Sequence, residues 1–532
     1  MKKNIFSMAA LIIASTAVFT ACSSSDDSIA EQQPVNPTEP QVYTMTIQAT
    51  KPDAQTRGLS LDGNTLKVKW NGDEKVLVYD AINNEQVGEL TAKASDNGET
   101  TLTGTISLDE PRDLLLFINS AVTDYSNQKG VLTGTDGIEY KYDVASAHLF
   151  SKDYTIDAAT KSITSESTAE FTVNPLHGQA IVKFKLNVAA KKLTIHDETG
   201  NMRQVNNVAG YGDGIVFGDI TVTPDEATNE LWVALCNVTS SSRLLLTAET
   251  DNGTYTYFNA VPSNNDEGNK PLEHGKFYEI NVTMKYTVDL STIGYGAQSI
   301  QNGWVVTGKL NPRVTRLDFA GGTVTLRNVD INSDGKIESS HPGIGMGGGA
   351  TGLTLILEGE NKVRGLGENY PGIHVKTGTN LEIKGYGSLE ATSKYGAGIG
   401  CASYEKESVY KDCGNIIISG GTVTATGELS APGIGSGRVV ADTGYPSSKC
   451  GDITIKSGAK VTASSGSSEA ASIGTAEGDS SGQSYCKSIT IKSGAIVTAK
   501  KNNNAEAIGK GNGGSMPDNS VTIEEGANVT YN

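Results

Sequence analysis

From residue 317 to residue 532, apolar positions recur in a two-part pattern. An alternating run such as Ile416-Ile417-Ile418-Ser419 is followed by a Gly420-Gly421 turn and a second run, Thr422-Val423-Thr424-Ala425. Period-two alternation puts Ile416 and Ile418 on one face and Ile417 and Ser419 on the other, as in a half-buried strand. Between these units stands a phrase of usually small residues, isoleucine and usually glycine: Pro342-Gly343-Ile344-Gly345, Pro371-Gly372-Ile373, Ala397-Gly398-Ile399-Gly400, Pro432-Gly433-Ile434-Gly435, Ala471-Ser472-Ile473-Gly474 and Ala507-Ile508-Gly509. The alternating pairs begin at Leu317, Leu355, Leu381, Ile416, Ile453, Ile489 and Val521, giving coils of 38, 26, 35, 37, 36 and 32 residues. The second runs carry Val324, Val363, Leu389, Val423, Val461, Val497 and Val529. Self-similarity on this scale marks a repeat architecture. Three short strands per coil, with glycines at the bends, predict a right-handed parallel β-helix with an internal isoleucine ladder. At about 4.8 Å between strands, seven coils make a rod on the order of 30 Å long.

Upstream, from Val42 to about Lys285, the repeats vanish. Short alternating runs such as Tyr43-Thr44-Met45-Thr46-Ile47, Lys75-Val76-Leu77-Val78-Tyr79 and Ala180-Ile181-Val182-Lys183-Phe184 are separated by Gly, Asn and Asp turns. That pattern predicts an antiparallel sandwich, divided into two lobes near the polar stretch 158–167. The expected fold class is therefore all-β. The expected layout is a signal peptide over 1–21, a tether over 22–41, lobes over 42–165 and 166–286, a connector over 287–316 and the β-helix over 317–532.

The chain has 532 residues and a formal net charge of −17, which disfavours nucleic acid and anionic membrane as partners. Its start changes the picture more. Lys2 and Lys3 precede an apolar stretch from Met8 to Phe19 that ends in Phe19-Thr20-Ala21-Cys22. This resembles a bacterial lipoprotein signal, too short for an ordinary membrane span. The resemblance implies cleavage before Cys22, acylation of that cysteine and an outer-membrane lipoprotein. Ser23-Ser24-Ser25-Asp26-Asp27 resembles the acidic export tag of surface lipoproteins. Pro34, Pro37 and Pro40 make the tether stiff and extended.

A family resemblance rests on the order of several motifs. They are the first strand, Gln55-Thr56-Arg57, Trp70-Asn71-Gly72-Asp73 before Val76-Leu77-Val78-Tyr79, Phe171 before Pro175-Leu176-His177, and the closing Leu272-Glu273-His274-Gly275-Lys276-Phe277-Tyr278-Glu279-Ile280-Asn281-Val282. Together they resemble a fimbrillin-like domain, a family of lipoprotein-routed pilins, pilus accessory proteins and related surface lipoproteins. The resemblance implies cleavage after an arginine, matched by Arg57, which releases the first strand so that another subunit can add one. The alternative is an exposed arginine after a permanent edge strand. A stalk pilin gives its C-terminal strand to a neighbour; the repeats that follow here obstruct that donation. A tip or accessory position, or a solitary tethered lipoprotein, is the expectation.

Deviations from the bare coil are where chemistry is expected. The long link from Val324 to Ile344 contains Asp330, Asn332, Asp334, Gly335 and Glu338, spaced like the first half of a calcium loop but lacking its final bidentate glutamate; an Asp-Gly turn is the competing reading. Loops after the isoleucines carry Tyr404, Tyr410, Tyr445 and Tyr485, which stacking would align into a ridge suited to glycan rings, unless they are loop packing. Cys413, Cys450 and Cys486 hold equivalent corners, so adjacent disulfides, a Cys401–Cys413 disulfide, or buried thiols all remain open; Cys236 lies apart. Acids are thinly scattered over the repeats, and neither paired carboxylates nor an Arg-Lys constellation recurs, so an enzyme is not expected. The expected function is a surface adhesin or fimbrial subunit whose repeats bind a glycan. A structural lipoprotein with the repeats as spacer is the alternative, and a polysaccharide-degrading β-helix enzyme is ranked below both.

Overall fold

The computed structural model describes residues 39–532 except 52–58, 63–64, 69, 71, 73, 119–122, 125, 131–144, 174–178, 207–215, 259–262, 265–267, 270–271, 274–275, 404–408, 440–446 and 479–482. Cys22, Arg57, Tyr404 and Tyr445 therefore lie outside the described residues. Among the described residues the regular structure is all strand, apart from one 3-10 turn at Ser151–Asp153.

The first strand, Gln41–Thr50, is not at an edge. It pairs antiparallel with Glu99–Leu108 along its whole length and, on its other side, runs parallel to Ser162–Ser165 and Ala169–Glu170. Its alternation aims Tyr43, Met45, Ile47 and Ala49 into the core of the first lobe. Trp70 anchors that core. Its indole N–H donates to the Gly98 carbonyl at 2.7 Å, and the edge of Phe171 meets it at 5.9 Å. The Lys51 ammonium lies 4.1 Å from the Trp70 ring centre and 2.7 Å from both carboxylate oxygens of Glu74. Burial of this pair is tolerable because each charge meets its opposite at hydrogen-bond distance.

The lobes interlock across the expected boundary at residue 165. Ala169–Glu170 and Thr172–Val173 pair within the first lobe, so that lobe extends through Val173. Conversely, Asn127–Gln128 pairs with Ile220–Val222 of the second lobe, and the buried Gln128 amide both donates to and accepts from the Ala234 backbone. The second lobe is built around Gln179–Ala190, which pairs antiparallel with Thr228–Cys236 and parallel with Phe277–Val282.

Strand Lys285–Asp289 joins the lobe to the repeats. One side pairs antiparallel with Gly253–Phe258, the other parallel with Val305–Lys309, and from there the sheet continues through Gly322–Ile331 and the later coils. The expected connector over 287–316 is thus part of the stack. Val288, Leu290, Ile300, Val306, Leu310 and Val314 share one continuous core with Ile434 and Ile489.

Each later coil adds three parallel strands in register with the last. One inward column runs Leu353, Leu381, Ile416, Ile453, Ile489, Val521, and a second runs Leu389, Val423, Val461, Val497, Val529. The early coils differ from the expected register by two residues: Leu353, not Leu355, pairs with Leu381, and Val324 pairs with Leu355. Leu317 belongs to another strand, Val314–Phe319, which pairs with Gly296–Ile300. A slip of two keeps every apolar residue facing inward, so alternation cannot distinguish the two registers. Asn361 fills the second column beside Leu389, and its side chain accepts from Val329 N–H and donates to the Glu358 and Ser388 carbonyls.

The third column is the isoleucine phrase. Ile344, Ile373, Ile399, Ile434, Ile473 and Ile508 stack one above another, all buried. The glycines after the last four, Gly400, Gly435, Gly474 and Gly509, take φ of 143°, 144°, 135° and 137°, a region that side chains disfavour. A Cβ on Gly435 would stand 1.9 Å from the Gly474 carbonyl oxygen.

The buried Lys51–Glu74 pair makes a testable prediction. Lys51→Met or Glu74→Gln alone is expected to cost about 3–5 kcal/mol in denaturant unfolding, and the double change Lys51→Met/Glu74→Leu clearly less than the sum. Additive losses would show that the two charges do not support each other.

Candidate functional site

The first insertion is a turn braced by its own side chains. Asn332 sits at φ 54°; its side-chain oxygen accepts from Ile337 N–H at 2.8 Å, and its NH2 donates to the carbonyls of Ile337 at 3.1 Å and Gly365 at 2.9 Å. Asp330 accepts from Ser333 N–H. Asp334 faces the ammonium groups of Lys336 at 3.1 Å and Lys309 at 3.2 Å, which hold its carboxyl down at about 2. This geometry departs from the expected calcium cage: Asn332 is buried and committed to backbone, while lysines stand at Asp334. Among the described residues, no group of three or more His, Cys, Asp or Glu side chains is placed to hold a metal ion. Once the register is corrected, the link runs from Val329 to Ile344, so much of the apparent insertion was strand.

The turn instead forms one wall of a cleft of about 470 Å3. Ile337, Glu338, Ser339 and Ser340 line one side, and the segment from Arg364 to Tyr370 lines the other. The Arg364 guanidinium is held by both carboxylate oxygens of Glu428, at 2.5 and 2.9 Å, and Glu368 pairs with Lys394. Ser339 Oγ donates to the Thr315 carbonyl at 2.5 Å and lies 3.0 Å from His341 Nδ1. The cleft therefore offers both signs of charge, hydroxyls and glycine carbonyls on a backbone held by parallel ladders. Such groups can both accept and donate hydrogen bonds.

The expected tyrosine ridge does not form from the described residues. Tyr410 is 8% exposed, with its ring set edge-on to Tyr370 at 5.7 Å and His374 at 4.9 Å. Ala402 N–H donates to the Tyr410 carbonyl at 2.8 Å, which ties Tyr410 to the coil. Loop packing is the correct reading for Tyr410, and burial pushes its hydroxyl pKa up. Tyr485 is half-buried within strand Gln483–Ile491, opposite Lys449 and Ser515.

His374 carries a signal in the repeat itself: it stands where the later phrases have glycine after isoleucine. In register with Gly400, it is buried, with Nε2 2.9 Å from the Asp412 carbonyl. Burial lowers its pKa from the ordinary 6.5 and keeps it neutral. Arg364 and Tyr370 gave no sequence signal, since they belong to short links that looked like bare scaffold.

The molecule is thus an interlocked pair of β-lobes continuing into a parallel stack with one polar cleft on its first insertion. No protein family model and no curated protein matches the chain. Solved structures similar to it include the tip fimbrial protein Mfa3 from Porphyromonas gingivalis with C-terminal truncation, at 13% identity and a TM-score of 0.25, covering 45% of this chain and 94% of that one. A candidate cell adhesion protein from Bacteroides uniformis aligns at 15% identity and a TM-score of 0.27, covering 47% and 94%. Another from Bacteroides ovatus aligns at 15% identity and a TM-score of 0.25, covering 46% and 92%.

The neutral imidazole predicts a pH response. Because the folded-state pKa of His374 lies below the unfolded 6.5, its contribution is fully present above that pH and is lost as pH falls below it. The melting temperature is expected to fall between about pH 6.5 and pH 5, and His374→Gln to flatten that slope. An unchanged slope would show that His374 does not titrate with unfolding.

Proposed function

We propose that this chain is a fimbrillin-like surface lipoprotein, an adhesin or a tip or accessory subunit of a fimbrium, whose parallel β-helix presents a glycan site. The observation that carries the reading is the polar cleft between Glu338 and Lys394, built on a sheet that runs without a break from the second lobe. A site on such a scaffold keeps its geometry, which suits recognition of a surface ligand. The neighbours described above include a fimbrial tip protein and candidate cell adhesion proteins, roles of the same kind.

Strand exchange has a specific form in this reading. Cleavage after Arg57 would release an interior strand, leaving Glu99–Leu108 and Ser162–Ser165 as facing edges around a trench. Each large side chain withdrawn, Tyr43, Met45 or Ile47, contributes about 1.5–3 kcal/mol by burial, so the trench demands a replacement with the same alternation. Donation at the other end is opposed: Val521–Ile523 and Asn528–Tyr531 are already paired with the preceding coil. These features support an acceptor at a tip more than a stalk subunit. The burial of Tyr410 favours a second reading, in which the stack is a spacer.

A glycan array probed with the full chain tests the site. Binding to a restricted glycan class is expected, weakened at least about tenfold by Glu338→Gln combined with Lys394→Met. Silence across a broad array would leave the spacer. N-terminal sequencing of the surface-extracted protein gives Gly58 when the first strand is released, whereas a blocked, acylated Cys22 alone contradicts release.

A further inference from the structure

Four cysteines meet at one corner of the stack. Cys401, Cys413, Cys450 and Cys486 are all buried in its core, and strand register sets Cys450 directly beside Cys486. A different pair meets within hydrogen-bond distance, and the Cys450 thiol touches all three of the others. Cys401 Sγ lies 2.8 Å from Cys413 Sγ, while Cys486 Sγ turns to the carbonyls of Gly451 and Ser488, each at 3.8 Å. Cys413 is held in place by its N–H, which donates to the Lys449 carbonyl at 2.7 Å. Between the close pair runs the loop that carries Tyr410 over His374.

We propose that Cys401 and Cys413 are joined by a disulfide that closes this loop and clamps Tyr410 onto the stack. The proposal rests on the surface location proposed above, because disulfides persist in oxidising compartments and are rare in the cytosol. In the finished stack, burial opposes ionisation of Cys401 but hydrogen bonds from the Cys413 and Cys450 thiols outweigh it, while burial and then Cys401 push Cys413 upward. The Cys401 thiolate attacks a donor disulfide of the thiol–disulfide oxidoreductase class, displacing one donor thiolate. Cys413, losing its proton to solvent, then attacks the Cys401 sulfur of the mixed disulfide and displaces the second. Two S–H bonds are lost and one S–S bond forms in this chain, while the donor's S–S bond breaks and the donor takes up the two electrons and two protons as its dithiol. Since both sulfurs are buried in the finished stack, exchange occurs while the chain folds, and the bond is then shielded from reductants. Cys450 and Cys486 remain thiols.

Peptide mapping of the full chain tests this, with alkylation in denaturant before any reduction, on protein from the cell surface and on protein refolded with oxidised and reduced glutathione. The expected result is a Cys401–Cys413 linked species, about 2 mass units lighter than the dithiol, with Cys450 and Cys486 alkylated. Linkage after refolding but not in cells supports the pairing and overturns the surface location. Alkylation of all four cysteines in both preparations, or linkage of Cys450 to Cys486 instead, overturns the pairing. Cys450→Ser/Cys486→Ser should keep the linkage. Cys401→Ser/Cys413→Ser should melt where the reduced parent does, below the oxidised parent; equal melting of oxidised and reduced parent would show that no clamp exists.

Discussion

The C-terminal half depends on how closely one coil's backbone approaches the next at the isoleucine-glycine column. There the carbonyls of Gly435, Gly474 and Gly509 occupy the places that a Cβ on Gly400, Gly435 and Gly474 would take, while one coil earlier the slot holds His374. Isoleucine supplies the buried apolar contact, and glycine allows its neighbour to come close enough for the parallel hydrogen bonds to form. With that spacing set, the other two columns fall into register, and Leu381, Ile416, Ile453 and Ile489 lie directly over one another. Insertions can then vary freely on the outside, because the ladder does not pass through them.

The same constraint carries the lobe and the cleft together. Strand Lys285–Asp289 turns an antiparallel sheet into a parallel one, so the stack begins on a template already folded by the second lobe. A side-chain brace reinforces the joint. Arg327 binds Glu358 at 2.5 Å and reaches Thr256 Oγ1 at 3.3 Å, its guanidinium lies 5.3 Å from the Phe258 ring centre, and Phe258 stacks on Tyr386 at 5.9 Å. A largely buried ion pair with an aromatic ring against its guanidinium resists shear better than an exposed one. Force applied at the cleft would therefore be passed to the lobes through a continuous sheet.

The sequence made the all-β class and the period of the repeats legible, since alternation and the recurring isoleucine are local signals. It could not distinguish registers two residues apart, which is why Leu355 stood in for Leu353 and Val324 seemed to begin a long insertion. It also could not show that the first strand is interior, because an alternating strand reads the same whether one neighbour or two flank it. The site suffered most. Tyr410 looked like a ligand platform because exposure is not written in a loop's composition, whereas Arg364, Tyr370 and Glu428 meet only through stacking of separate coils. His374 was the readable exception, a side chain in a glycine slot.

The most direct test of the stacking account compares two glycines of adjacent coils by denaturant unfolding. Gly435 has positive φ and a carbonyl oxygen 1.9 Å from where a Cβ would lie; Gly458 has φ 84° and nothing within 4 Å. Both pay a positive-φ penalty on becoming alanine, and only Gly435 adds a clash with the carbonyl of the next coil. The account predicts that Gly435→Ala loses about 2–3 kcal/mol more than Gly458→Ala. Equal losses would contradict it, showing that the close approach of Gly435 to Gly474 is not what sets the stack.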